Sequence, residues 1–189
     1  TSSVTVNLRD GSTPTIGGKT SRIETLIGTP QSDTLIGPVS ESLWFVTQAA
    51  HGEIQDGSGA GLFDFQSFEA FEGSPDAATL SVQLSNSPEN VILAADSLTV
   101  DQQFWFSFNN FAVFEIDTAG GADIVEIVGT HNQETVLKTF GGQDRVQVQN
   151  TSGPTSIETG ENSDVVTIHS ISSALDISAG YGSDTIVVA

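Results

Sequence analysis

The sequence has no cysteine, no methionine, a single tyrosine and only five lysines and arginines among its 189 residues. Each shortage excludes something. Without cysteine there is no disulfide framework, no thiolate nucleophile and no cysteine-ligated zinc. Five basic residues against 24 acidic ones give a formal net charge of -19, which argues against nucleic acid or an anionic bilayer as partner. No run approaches the roughly 18 consecutive apolar residues of a membrane-spanning helix, so membrane insertion is not expected, and no signal peptide stands at the start. The missing methionine means that Thr1 is not a translation start, as in a processed chain or a piece of a longer one. Common catalytic signatures are also missing: no nucleotide-binding loop, no H-E-x-x-H and no G-x-S-x-G.

What is present is strand and turn chemistry. Asp, Gly, Val, Ile and Thr are abundant, whereas Lys and Glu, the helix-favouring charges, are scarce. Hydrophobic residues make up 37%, enough for a packed core and too many for a disordered acidic tail.

The C-terminal third repeats itself. Asp123, Asp144, Asp164 and Asp184 are spaced by 21, 20 and 20 residues. Two residues before each stand Gly121, Gly142, Asn162 and Gly182. Five before stand Thr118, Thr139, Thr159 and Ala179, and seven before stand Ile116, Leu137, Ile157 and Ile177. Two and four residues after each Asp come Val125 and Ile127, Val146 and Val148, Val166 and Ile168, Ile186 and Val188. The aliphatic pair after each Asp reads as the inward face of a short strand, because side chains alternate with period 2. The aliphatic residue at minus seven belongs to a second strand. The Gly/Gly/Asn/Gly column holds the residue types that enter the left-handed region at least cost, and so predicts a tight turn in every repeat. Two strands and one turn per 20 or 21 residues predict an all-β fold, a parallel β-solenoid of about nine coils whose equivalent positions stack at the strand spacing.

The first two thirds read as a looser version. The segment from Ile23 and Glu24 through Thr25-Leu26-Ile27-Gly28 to Asp33-Thr34-Leu35 has the same strand, turn, Asp, strand order. Asp76, followed by Ala78 and Leu80, repeats it 43 residues later, and Phe65, Phe68 and Phe71 recur as Phe108, Phe111 and Phe114 at the same offset. Residues 1–115 are therefore expected to be irregular, aromatic-rich coils with insertions, and 116–189 regular ones, in one continuous domain. Ten of the eleven Phe lie between 45 and 114, which is what a wide core filled by aromatics requires. Trp44 and Trp105 carry a second reading as a sugar-stacking platform or a contact with a neighbouring chain. Trp105 is the better placed, since alternation sets it opposite Phe104, Phe106 and Phe108.

Stacking Asp123, Asp144, Asp164 and Asp184 brings like charges to about 5 Å, the strand spacing, where neighbours repel by about 1 kcal/mol even in water. The side chains can splay into solvent, cap turn N–H groups, or share a hard divalent cation. Ca²⁺ takes about six to eight oxygen ligands, backbone carbonyls included. Asp33 and Asp76 belong to the same candidate set.

The frame Gly-x-Asp-x-aliphatic resembles the haemolysin-type (RTX) calcium-binding repeat, G-G-x-G-x-D-x-U-x. Ala179-Gly180-Tyr181-Gly182-Ser183-Asp184-Thr185-Ile186 is the nearest match, and the segments around Asp123 and Asp144 match at the later positions. The first Gly of that nonapeptide is replaced by Thr or Ala, tandem nonapeptides are absent, and Phe140 stands where the family has Gly. The resemblance implies calcium along one edge, held by the four Asp with Gly121, Gly142, Asn162 and Gly182, and it implies secretion from a bacterium and a place on the cell surface.

For catalysis the chain offers little. His51, His131 and His169 are scattered, Arg9, Lys19, Arg22, Lys138 and Arg145 are few for a groove binding acidic sugar, and Glu24, Glu69, Glu72 and Glu115 show no specific pair spacing. Both chain ends are strand-like and lack a polar cap. The expectation is therefore a non-enzymatic, secreted structural or adhesive solenoid, calcium-stabilised, whose partners are copies of itself or further coils joined through the ends. A glycan-binding or polysaccharide-processing module, with surface glycans as partner, is the alternative.

Overall fold

A computed structural model describes residues 2–9, 25–59 and 61–189. Glu24, Lys19, Arg22 and the Ile23 end of the N-terminal repeat fall outside them. The described chain is all-β, with no helix. Its strands are β1 (Thr5–Asn7), β2 (Thr25–Ile27), β3 (Thr34–Ile36), β4 (Ser42–Gln48), β5 (His51–Asp56), β6 (Gly61–Gln66), β7 (Ala70–Glu72), β8 (Ala78–Gln83), β9 (Asn90–Ala94) and β10 (Ser97–Val100). They continue as β11 (Gln103–Asn109), β12 (Val113–Asp117), β13 (Ile124–Ile127), β14 (Glu134–Lys138), β15 (Arg145–Val148), β16 (Thr155–Glu158), β17 (Val165–Ile168), β18 (Leu175–Ser178) and β19 (Thr185–Val188).

These strands build two compact units that interleave along the chain. One comprises 1–81 with 105–112, the other 82–104 with 113–189. The unit that holds the regular repeats takes in the 82–104 segment as well as 113–189.

In the regular unit the strands form two parallel ladders. One runs β9, β13, β15, β17, β19 and the other β12, β14, β16, β18. The repeat positions meet in register: Val125 pairs Val146, Val146 pairs Val166, and Val166 pairs Ile186. Ile116, Leu137, Ile157 and Ile177 pair in the same order across the second ladder. The plus-two and plus-four aliphatics are buried, as alternation requires, from Val125 to Val166, each side chain contributing about 1.5–3 kcal/mol by leaving water. In the β18–β19 row the same positions are open, with Ile186 50% and Val188 80% exposed, since no described strand pairs beyond it.

The other unit pairs β1, β3, β7 and β11 in parallel, and β2 with β6. Its core is aromatic. Trp44 meets Phe111 edge-on at 5.3 Å between ring centres and also contacts Phe65 and Phe71, offset and edge-on contacts being the favoured geometries of such rings.

Two expectations need correction. Pairing is not parallel throughout: β4, β5 and β6 form an antiparallel meander, and β9 and β10 an antiparallel hairpin. The β4–β5 turn is tight because Ala50 enters the left-handed region at φ 58. Second, the 43-residue aromatic offset is not the structural register. Phe108 pairs Phe71, not Phe65, across β7 and β11, since the β9–β10 hairpin changes the chain length between equivalent strands. All six of those Phe are nevertheless buried.

Candidate functional site: a chain of capping carboxylates

Each repeat Asp sits between the turn and its following strand, and Asp144, Asp164 and Asp184 each accept the backbone N–H of the preceding repeat's Asp. Asp123 N–H donates to Asp144 Oδ1 at 2.9 Å, Asp144 N–H to Asp164 Oδ1 at 2.9 Å, and Asp164 N–H to Asp184 Oδ1 at 3.0 Å. The second oxygen is held from within the same turn. Thr118 Oγ1 donates to Asp123 Oδ2 at 2.6 Å and Thr139 Oγ1 to Asp144 Oδ2 at 2.5 Å. That explains the threonine five residues before Asp123 and Asp144: a short hydroxyl there reaches the carboxylate across the turn. Thr159 departs, donating to the Ala179 carbonyl, and Asp164 Oδ2 is buried without a hydrogen-bond partner.

The chain has a fifth member that the spacing hid. Glu89 N–H donates to Asp123 Oδ1 at 2.9 Å. Glu89 is itself buried, its Oε1 accepting the Ser85 hydroxyl and its Oε2 unpartnered. It lies 34 residues before Asp123, and the β9–β10 hairpin occupies the difference. The other unit contains the same device. Val4 N–H donates to Asp33 Oδ1 at 2.5 Å and Asp33 N–H to Glu69 Oε2 at 2.9 Å. Thr29, through both its N–H and its hydroxyl, holds the fully buried Asp33.

The turns are as tight as the Gly/Gly/Asn/Gly column predicts. Gly121, Gly142 and Asn162 have φ of 134, 141 and 82. A Cβ at Gly142 would stand 1.3 Å from the Gly121 carbonyl oxygen. A second left-handed column stands two residues earlier at Ala119, Phe140, Gly160 and Gly180, with φ 60, 58, 90 and 76. Only Gly160 and Gly180 betray it in the sequence.

Burial governs the electrostatics. It pushes the Asp144 carboxyl above its ordinary value, opposed by the Thr139 hydroxyl and Asp123 N–H and reinforced by the Asp123 and Asp164 charges. Glu89 is raised as well, first by burial, with Asp123 contributing.

The remaining candidates scatter. Asp76 does not join the carboxylate chain: it is exposed on the Ser74–Ala77 turn, although Ala78 and Leu80 after it are buried as its repeat frame requires. Trp44 has no face for a ligand, being fully buried with its indole N–H donating to Ser42 Oγ. Trp105 is half-buried. Glu72 pairs with Arg9 at 2.9 Å and Glu115 with Lys138 at 2.5 Å. His51 and His131 contact the carbonyls of Ala49 and Glu134, and burial lowers the His131 pKa. The exposed His169 meets Gln147.

The column thus fits capping, with Asp123 and Asp144 each using both oxygens on N–H and O–H donors. Among the described residues no three acidic or histidine side chains converge as a metal cluster. Buried carboxylate oxygens without a donor stand at both ends of the chain of carboxylates, Glu89 Oε2 and Asp164 Oδ2, the latter next to the half-buried Asp184. No family model, curated protein or solved structure matches the chain.

Proposed function

We propose that this chain is a stretch of parallel β-solenoid, interrupted by antiparallel hairpins, serving as a structural or adhesive element of a bacterial cell surface or extracellular fibre. The single observation that carries the reading is the carboxylate-to-N–H chain running at a constant 20–21-residue step from Asp123 to Asp184 in register with two parallel ladders. Repeats tied by side chain as well as by backbone suit a scaffold, in which each repeat is stabilised by its neighbours and function comes from length and surface. The side-chain resemblance to haemolysin-type repeats supports the extracellular setting, and a charge of -19 keeps such a chain soluble and away from anionic surfaces.

In this reading calcium belongs at the Asp164–Asp184 end, where the unpartnered Asp164 Oδ2 is available to a cation that also takes backbone carbonyls. The open apolar row of β18 and β19 is where further repeats or a second copy would continue the ladders.

Electron microscopy of the purified chain over a range of concentrations tests the scaffold. Rods joined end to end support it, and compact monomers at every concentration overturn the assembly. Calcium is tested separately by thermal melts with and without chelator. An unchanged melting temperature removes the cation and leaves the scaffold standing.

A further inference from the structure

One groove lies outside the capping chain. It holds about 520 Å³ and runs along the turn edge of the regular unit. Its floor is Gly141, Gly160 and Gly180, its flanks are Phe140 and Tyr181, and Glu161 stands among them. Positions 120, 141, 161 and 181 are joined by parallel bridges, one per repeat, so the groove follows the repeat axis. Phe140 and Tyr181 stand two repeats apart, roughly 10 Å at the strand spacing, with Glu161 in the repeat between them.

Three observations show that this surface is costly to the fold. Phe140 is 50% and Tyr181 83% exposed, so neither ring is employed as core. Phe140 also occupies the left-handed region at φ 58, where a bulky residue is strained and where the next two repeats place Gly160 and Gly180. Strain of this kind persists at ligand clamps. Gly141 is glycine without steric or conformational need: its φ is ordinary and an added Cβ would meet nothing within 4 Å. What its bare backbone does is keep the floor open between the rings.

We infer that this groove binds an extended β-linked glycan free of anionic groups, with sugar rings stacked on Phe140 and Tyr181 and a hydroxyl or amine of the intervening ring donating to Glu161. The charge argues for the class. Glu161 in the groove lining and a net charge of -19 repel uronic acids and sulfated sugars and accept neutral or amino sugars. The shape argues for an extended chain, since a pyranose ring advances along such a glycan by close to one strand spacing, about 4.8 Å. An aromatic face suits the apolar face of a sugar ring, and also attracts a protonated amine.

Tyr181 is the chain's sole tyrosine, so isotope-labelled tyrosine gives one ring signal in NMR. The labelled chain is titrated with cellohexaose, with β-1,4-linked N-acetylglucosamine hexamer, with its deacetylated glucosamine counterpart, and with oligogalacturonate. A saturable shift of the Tyr181 ring with any of the first three and none with oligogalacturonate is expected. The response to the deacetylated oligomer against the acetylated one separates an amine from a hydroxyl at Glu161. Phe140→Gly provides the variant. It is expected to weaken binding by about tenfold or more while its melting temperature stays level or rises, because the strained conformation suits glycine. No shift with any oligomer, equal binding of oligogalacturonate, undiminished binding by Phe140→Gly, or a glycan-independent shift that grows with protein concentration would each overturn the site, the last by showing that a second copy covers it. The scaffold reading is tested by microscopy and survives any of these results.

Discussion

The backbone N–H of Asp123 donates to Asp144 Oδ1 at 2.9 Å while Thr139 Oγ1 donates to Asp144 Oδ2 at 2.5 Å. One buried side chain therefore satisfies a main-chain donor of the preceding repeat and a hydroxyl of its own. Asp144→Ala strands the Asp123 N–H in the interior, an unpartnered group costing about 1–3 kcal/mol, and leaves the Thr139 hydroxyl only the Thr159 carbonyl at 3.1 Å. Asp144→Asn retains one acceptor oxygen and should lose less. Urea unfolding is expected to rank wild type, Asn and Ala in falling stability, with exposed Asp76→Ala within about 0.5 kcal/mol of wild type. An Ala variant as stable as the Asp76 control would show that the chain of carboxylates does not hold the repeats together.

The same buried carboxyl sets a pH response. A carboxyl whose pKa is higher folded than unfolded keeps its proton in the folded state at pH values where the unfolded chain has released it. Its contribution is unfavourable at neutral pH and is relieved as the pH falls through its raised folded value. Asp144 and Glu89 are both raised, mainly by burial, from ordinary values of 3.8 and 4.5. Their share of the stability should therefore increase on acidification from neutrality toward those ordinary values and level off below them. Urea midpoints measured across this range in wild type and Asp144→Asn isolate the effect. The wild-type curve should rise more on acidification, and parallel curves would show that Asp144 titrates alike in both states.

Much of the regular unit was legible because a repeat states the same requirement several times. The aliphatic columns and the left-handed Gly121, Gly142 and Asn162 each follow from a side-chain or backbone need that one residue type meets, whereas the threonine column is a bare recurrence until the fold brings Thr118 and Thr139 to their carboxylates. Glu89 is hidden from the repeat spacing for a physical reason: the β9–β10 hairpin separates it from Asp123, and a glutamate with one more methylene fills the place of an aspartate. Glu69 was visible as a strand carboxylate but not as the acceptor for Asp33 N–H, because only the three-dimensional register of β3 with β7 brings them together. Asp76 shows the opposite error. Its strand frame is genuine, with Ala78 and Leu80 buried, yet its turn faces solvent, and a linear pattern does not record which way a turn leans. Phe140 departs from a glycine position in the sequence, but its left-handed backbone and its exposure are set by the stacked turns around it.

The two tryptophans should separate cleanly. Trp44 is fully buried and touches Phe65, Phe71 and Phe111. Trp44→Ala removes those contacts and strands the Ser42 hydroxyl, so a loss of about 3–5 kcal/mol is expected. Trp105 is half-buried, and Trp105→Ala should cost clearly less. Thermal melts of the two variants decide it. Equal losses would mean that Trp105 packs as tightly as the core.

The turn column gives the sharpest steric prediction. At Gly142 the backbone has φ 141 and an added Cβ would lie 1.3 Å from the Gly121 carbonyl oxygen, so Gly142→Ala must push apart two consecutive repeats. Asn162 occupies the equivalent place at φ 82 and already carries a Cβ. Removing it with Asn162→Gly relieves the residual strain of a left-handed L-residue, about 1 kcal/mol at most, against a similar gain in unfolded-chain freedom. The same position in two neighbouring repeats should therefore respond oppositely in size: Gly142→Ala severely destabilised or unfolded, Asn162→Gly within about 1 kcal/mol of wild type. Circular dichroism and urea unfolding of the pair provide the check, and a well-folded Gly142→Ala of wild-type stability would show that the turns are not packed carbonyl against Cα as described.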